Sequence, residues 1–167
     1  MRDGLDEEFR EFMHGHWPGV VRLAYGLTGD LGHAEDVAQA AFTKAYTSWP
    51  RISRAGNPDA YVRQIVINEN TNRFRKRRVA EQLTDLLPEG DSGDAVRDID
   101  DRTALMSALR KLGPRQRAVV VLRYWLDLSE AETAALLSCS VGTVKSQASR
   151  ALAALRDYGQ LADEEAR

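Results

Sequence analysis

The chain has 167 residues, a net charge of −2 and a single cysteine, Cys139. That length suits one mid-sized domain or two small ones. The near-neutral sum excludes a protein that coats nucleic acid by bulk charge. One thiol excludes an internal disulfide and points to a reducing, cytoplasmic setting. The acidic start MRDGLDEEFREF is no signal peptide, and no run has the apolar length of a membrane span.

Strand-like alternation is nearly absent, so an all-α fold is expected. The apolar run Ala118 to Leu122 sits between helical signals and reads as helix. Phe9, Phe12 and Met13 give a first helix a small apolar face, and Gly15 should end it. His14 and His16 lack a third metal ligand. Pro18 suits a second helix start, with Val20, Val21, Leu23, Ala24 and Leu27 inward and Thr28-Gly29-Asp30 as its stop.

A third helix is expected over about Ala34 to Ser48. Val37, Ala38, Ala41, Phe42, Ala45 and Trp49 share one arc; Glu35, Asp36, Gln39, Thr43 and Thr47 share the other. An ordinary amphipathic surface helix would show the same period. Trp49-Pro50 closes it, and Arg51 to Gly56 reads as a short basic loop. Asn57 can then cap a long helix with Pro58 at its first position. Tyr61, Ile65, Asn68 and Asn72 share one face of that helix, and Ile67 and Phe74 another. The helix ends in Arg73, Arg75, Lys76, Arg77 and Arg78. A solvated helix end helped by the dipole explains one or two such charges. Five repel one another unless they meet phosphates.

The stretch Thr84 to Arg102 is acidic and carries Pro88, Gly90 and Gly93, which reads as a flexible linker. The expected division is therefore a domain over 5–80, a linker over 81–103 and a smaller domain over 104–158. In the second domain Leu105, Leu109 and Leu112 form one face. Pro114 opens a helix to Trp125 with Val119, Val120 and Leu122 inward and Arg115, Arg117 and Arg123 outward.

Leu128 to Arg156 then reads as two helices and a tight turn. Ser129 and Glu132 have capping-box spacing, and Ser140 caps the second helix. Val141, Val144, Ala148, Ala151, Leu152 and Leu155 share its inner face. Thr143, Ser146, Ser149 and Arg150 share the outer one, with Lys145 and Gln147 on the flanks. A helix-turn-helix with a hydroxyl-rich outer face can enter a DNA major groove; a plain helical hairpin is the bland alternative. The tail after Tyr158 is expected to fray.

Three stretches in this order resemble the two-domain extracytoplasmic-function (ECF) sigma factors of bacterial RNA polymerase, of the short actinobacterial type. HAEDVAQAAFTKAY, from His33 to Tyr46, is similar to the polymerase-docking helix of that family. NPDAYVRQIVINENTNRFRKRR, from Asn57 to Arg78, is similar to the helix that reads the −10 element. The run from Leu112 to Arg156 is similar to the −35-reading domain. The resemblance implies two small helical domains, sigma regions 2 and 4. Core RNA polymerase (β′ clamp and β subunit) and promoter DNA would be the partners, often with an anti-sigma factor, and no cofactor or metal is implied.

Polymerase docking would fall to Asp36, Gln39, Phe42 and Thr43. The family usually has a carboxylate at the place of Ala40 and Asp at the place of His33, so this chain lacks one docking charge and a helix cap. The −10 strand would meet Trp49 and Tyr61 as stacking candidates, Asn57, Arg63, Asn68, Asn70 and Asn72, and the phosphate-binding Arg73, Arg75, Lys76, Arg77 and Arg78. The −35 duplex would meet Thr143, Ser146, Ser149 and Arg150, with Lys145 and Arg123 on phosphates. Arg150 is the candidate for bidentate pairing with guanine. A stand-alone helix-turn-helix regulator is the alternative. An enzyme has no support, for no Gly-rich phosphate loop, metal-spaced set or nucleophile–base pair is present.

Overall fold

The computed structural model describes residues 2–83 and 104–165, and all regular structure among them is helical. The chain divides into two units, Met1–Ser92 and Gly93–Arg167. The acidic stretch Thr84 to Arg102 lies outside the described residues.

The first unit holds α1 (Arg2–Thr28), α2 (Leu31–Thr47), α3 (Trp49–Ala55) and α4 (Pro58–Leu83). Two helices were expected before Gly29; the structure has one, with Gly15 and Pro18 inside it. A proline in mid-helix removes one backbone hydrogen bond and costs about 3 kcal/mol. Burial of Phe9 before the break and of Val20, Leu23, Ala24 and Leu27 after it offsets that loss. Gly29, at φ 73°, ends the helix.

α2 also begins earlier than expected. Asp30 is its cap and accepts a hydrogen bond from the His33 N–H at 2.8 Å. The cap therefore comes from Asp30, and His33 has no capping duty to fail in. Ala34, Ala38, Ala41 and Ala45 are fully buried along one stripe. Small side chains there let α2 lie close to both α1 and α4. The expected loop at Arg51 is instead α3, because Trp49 and Ile52 bury its inner face. Gly56, at φ 85°, turns the chain into α4. There Asn57 caps as expected, its Oδ1 accepting the Ala60 N–H at 3.2 Å. α4 buries Val62, Val66 and Ile67 only, so it packs on one face; Phe74, Val79 and Leu83 beyond the core are exposed.

The second unit holds α5 (Ala104–Lys111), α6 (Pro114–Val120) with a π-helical turn Val121–Trp125, α7 (Glu130–Leu137) and α8 (Val141–Glu165). Met106, Leu109 and Leu112 are buried, whereas Leu105 is 57% exposed, so the expected face of α5 is rotated by one residue. Arg117, expected outward, turns inward. Its guanidinium donates to the carbonyls of Leu109 at 2.9 Å, Arg110 at 3.0 Å and Leu112 at 3.1 Å. Those carbonyls lie at the end of α5, where helical acceptors lack the N–H donors of a next turn; Leu109 also accepts the Leu112 N–H at 3.1 Å. Burial, with the neighbouring Arg110 charge second, lowers the pKa of Arg117 from its usual value.

The π turn is closed by Leu126 N–H donating to the Val121 carbonyl at 3.0 Å, and Asp127 follows at φ 55°. α7 and α8 pack Val119, Ala134, Val144 and Ala148 into one cluster, with Leu137 and Cys139 against it. Cys139 is thus a small packing residue of the turn. α8 runs seven residues past Tyr158 to Glu165, because one glycine, Gly159, costs a helix only about 1 kcal/mol.

Candidate nucleic-acid interface

Three of the four docking candidates line a groove of about 520 Å3 between α1 and α2. Gln39, Phe42, Thr43 and Tyr46 form one wall; Asp6, Phe9, Arg10, Met13 and Trp17 form the other. Phe42 is buried and meets Phe9, Phe12 and Trp17 edge-on or tilted at 5.8–6.4 Å between ring centres. Tyr46 donates its phenol proton to Asp6 at 2.8 Å, and that hydrogen bond raises the tyrosine pKa. The α1 wall went unread in the sequence because a helix broken at Gly15 cannot present Arg10 and Trp17 together. Asp36 lies outside the groove. Its carboxylate is 64% exposed and stands 3.9 Å from Arg73 of α4.

The α4 residues fall into three groups. Asn57 is spent on its cap. Arg63 is held by Asp59 at 2.6 Å, and Asn68 accepts from Gln64 at 3.0 Å. Asn70 is half-buried and Asn72 exposed. At the far end Arg75, Lys76, Arg77 and Arg78 are exposed, Arg77 with Glu81 at 3.2 Å. Trp49 is 3% exposed and wedged between Phe9 and Phe12 at 5.2 and 4.9 Å. It offers no face to a base in this conformation. Tyr61 is half-buried, and Arg51 donates to its hydroxyl at 3.0 Å. Lys44 of α2 is paired with Glu69 of α4, so α2 and α4 are tied by two cross-helix ion pairs, this one and Asp36–Arg73. His16, weighed as a metal ligand, stacks on Phe12 at 4.2 Å.

In the second unit the caps stand where the spacing put them. Ser129 Oγ accepts the Glu132 N–H at 3.0 Å, and Glu132 accepts the Ser129 N–H at 3.3 Å. Ser138 makes the turn in the left-handed region, at φ 53°. Ser140 Oγ accepts the Thr143 N–H at 3.1 Å and lies 2.9 Å from its hydroxyl. On α8 Val144, Ala148 and Ala151 are buried, and Ser146, Ser149 and Arg150 project outward on the opposite arc. Ser146 donates to the Thr143 carbonyl at 3.1 Å, which leaves Ser149 and Arg150 as the more available donors. Lys145 lies 3.8 Å from Glu130 at the start of α7. Arg123 donates to the Leu128 carbonyl and sits beside the Tyr124 ring. Both cations thus stand at the rim where α7 begins.

No group of metal-ligating side chains and no helix long and apolar enough to cross a membrane occurs among the described residues. The arrangement is of surfaces: exposed donors on α8, exposed cations on α4 and a groove beside α2.

Comparison with known proteins matches residues 12–79 to Sigma-70 region 2 and residues 102–155 to Sigma-70 region 4. The chain is 42% identical over 150 residues to the RNA polymerase sigma-E factor of Streptomyces coelicolor, covering 90% of this chain and 85% of that protein. It is 28% identical over 174 residues to the ECF sigma factor SigW of Bacillus subtilis, covering 93% and 91%. Among solved structures it superposes on the sigma factor RpoE of Bartonella quintana, crystallised with the anti-sigma factor NepR. The TM-score is 0.74 at 25% identity, over 92% of this chain and 98% of that one. The chain belongs to the ECF sigma factors of the sigma-70 family, alternative sigma factors that bind core RNA polymerase and direct it to promoters.

Proposed function

We propose that the two units divide promoter recognition between them. Residues 5–80 dock on polymerase and open the −10 element, 81–103 link, and 104–158 grip the −35 duplex. Asp36, Gln39, Phe42 and Thr43 meet the β′ clamp, and the second unit also meets the β subunit. Tyr61, Arg63, Asn68, Asn70 and Asn72 face the separated −10 strand. Arg73, Arg75, Lys76, Arg77 and Arg78 hold its phosphates. Thr143, Ser146, Ser149 and Arg150 enter the major groove, with Lys145 and Arg123 on the flanking backbone. Trp49 serves as the rigid wall behind these residues, and Asn57 as the cap that sets the start of α4.

The observation that carries this reading is the pairing of surfaces on packed helices. α2 exposes the Asp36 carboxylate, and α4, tied to it through Arg73, exposes a run of cations. A protein that must bind a polymerase and DNA at once needs both. The factor works by binding, in the cytoplasm, as befits the non-enzymatic sigma-factor family to which it belongs. The anti-sigma factor bound to the Bartonella relative supports a protein inhibitor here too.

Run-off transcription tests the proposal. Core polymerase with this chain should yield a product of defined start from a cognate promoter. Charge reversal at Asp36 should reduce that product about ten-fold, as the loss of one charged interface contact worth about 1.4 kcal/mol. Specific duplex binding by the free chain, with no effect of Asp36 reversal on transcription, would favour a stand-alone regulator instead.

A further inference from the structure

We propose that Arg51 is a positioning residue for strand capture: it holds the Tyr61 ring in place to receive an unpaired base. This deepens the reading of the first unit as a reader of separated DNA, and it rests on that reading.

The argument starts from α3. Trp49 and Ile52 anchor its inner side, 3% and 2% exposed, so the helix is fixed and Arg51 leaves from its outer side. An exposed arginine on such a face ordinarily stays in solvent, because ordering its long side chain costs rotamer entropy. Here the side chain instead crosses the Gly56 turn to α4 and donates Nη2–H to the Tyr61 hydroxyl at 3.0 Å. Its guanidinium carbon stands 5.7 Å from the ring centre. The guanidinium thus holds the ring twice, by the hydrogen bond at its hydroxyl and by a cation–π contact over the ring. Both contacts fix the direction of the ring.

The consequences are specific. Because the phenol oxygen accepts from Arg51, its own proton remains to be donated outward. A cation at the hydroxyl end also favours a phosphate nearby. Stacking of one base on one aromatic ring is sequence-tolerant, because every base has a π-face. Trp49 is buried in the core, whereas Tyr61 is only half-buried and keeps part of its surface for that purpose.

The test uses the full chain with core polymerase, on a promoter from which the wild type directs transcription. Opening is read by fluorescence of 2-aminopurine placed in the −10 segment. Arg51→Ala should lower the open fraction about five-fold, the factor carried by an exposed cation–π contact. Polymerase affinity and thermal midpoint should stay near wild type. Arg51→Lys keeps the charge but loses the planar fork, so it should remain low. Tyr61→Phe should show a similar loss, and adding it to Arg51→Ala should cost little more. Full recovery by Arg51→Lys would overturn the proposal, because a phosphate contact needs only charge; so would wild-type opening by Arg51→Ala. If the wild type transcribes without enhancing the fluorescence of any −10 base, strand capture by this unit fails and the proposal fails with it.

Discussion

Two arginines of α4 and two of the helix-turn-helix unit have opposite fates. Arg75 and Arg78 stand in solvent at the end of a helix that has outrun its core. Arg117 and Arg123 fold back onto backbone carbonyls. The residue type is the same; the surroundings differ. α5 ends three residues before Pro114, so its last carbonyls lie within reach of Arg117. α4 continues past its packed segment without a break, so its arginines find no orphan carbonyl. A guanidinium goes to the nearest unsatisfied acceptor. Where the protein has none to offer, the guanidinium stays in solvent, and the acceptor proposed for it is the DNA backbone.

This contrast can be broken most directly at Arg117. Replacement by Ala removes hydrogen bonds to three carbonyls and should destabilise the second unit by about 3 kcal/mol, since charged hydrogen bonds contribute about 1.5–3 kcal/mol each and are not additive. Hydrogen exchange should report faster exchange across α5 and α6, with the first unit unchanged. A loss below half a kcal/mol would make Arg117 one more surface cation.

A smaller effect is expected on binding when Arg75, Lys76, Arg77 and Arg78 all become Ala. Four consecutive helical residues fan through most of a turn. Only about two can face one strand, so the slope of log affinity against log salt should flatten by about 1.5. Stability should barely move. A flattening near 3 would mean that the DNA wraps the helix end; no change would remove the cluster from the interface.

Smallest is Ser129→Ala, which deletes one half of a capping box. It should cost about 1 kcal/mol in unfolding by urea and weaken −35 binding only through the fold. A loss of DNA affinity without a loss of stability would instead place Ser129 on a phosphate.

The two units also differ in how far local chemistry determined them. The helix-turn-helix was legible almost residue by residue, because Ser129, Glu132 and Ser140 each act within three residues of themselves. Its inner face of Val144, Ala148 and Ala151 follows from helical period alone, although Val141, expected there too, is exposed at the start of α8. The first unit was legible as apolar arcs but not in its boundaries. Gly15 and Pro18 are strong local stop signals, yet α1 passes through both. Arg51 to Gly56 resembles a loop, yet Trp49 and Ile52 make a helix of it as far as Ala55. In each case burial of distant apolar side chains outweighed a local preference of a few kcal/mol.

What the sequence alone determined is the inventory: an all-α chain, an acidic break between two helical halves, a capped helix-turn-helix and a cationic helix end. These depend on periodicity, caps and charge density, which act over a turn or two. What only the tertiary structure decided is which of the named side chains remain free to act. Trp49 went to the core, Arg117 to a helix end, Asp36 to Arg73 and Arg51 to Tyr61. Those outcomes depend on which acceptors and apolar faces the packed helices bring within a few ångströms, and neighbours in space are not written in the order of the chain.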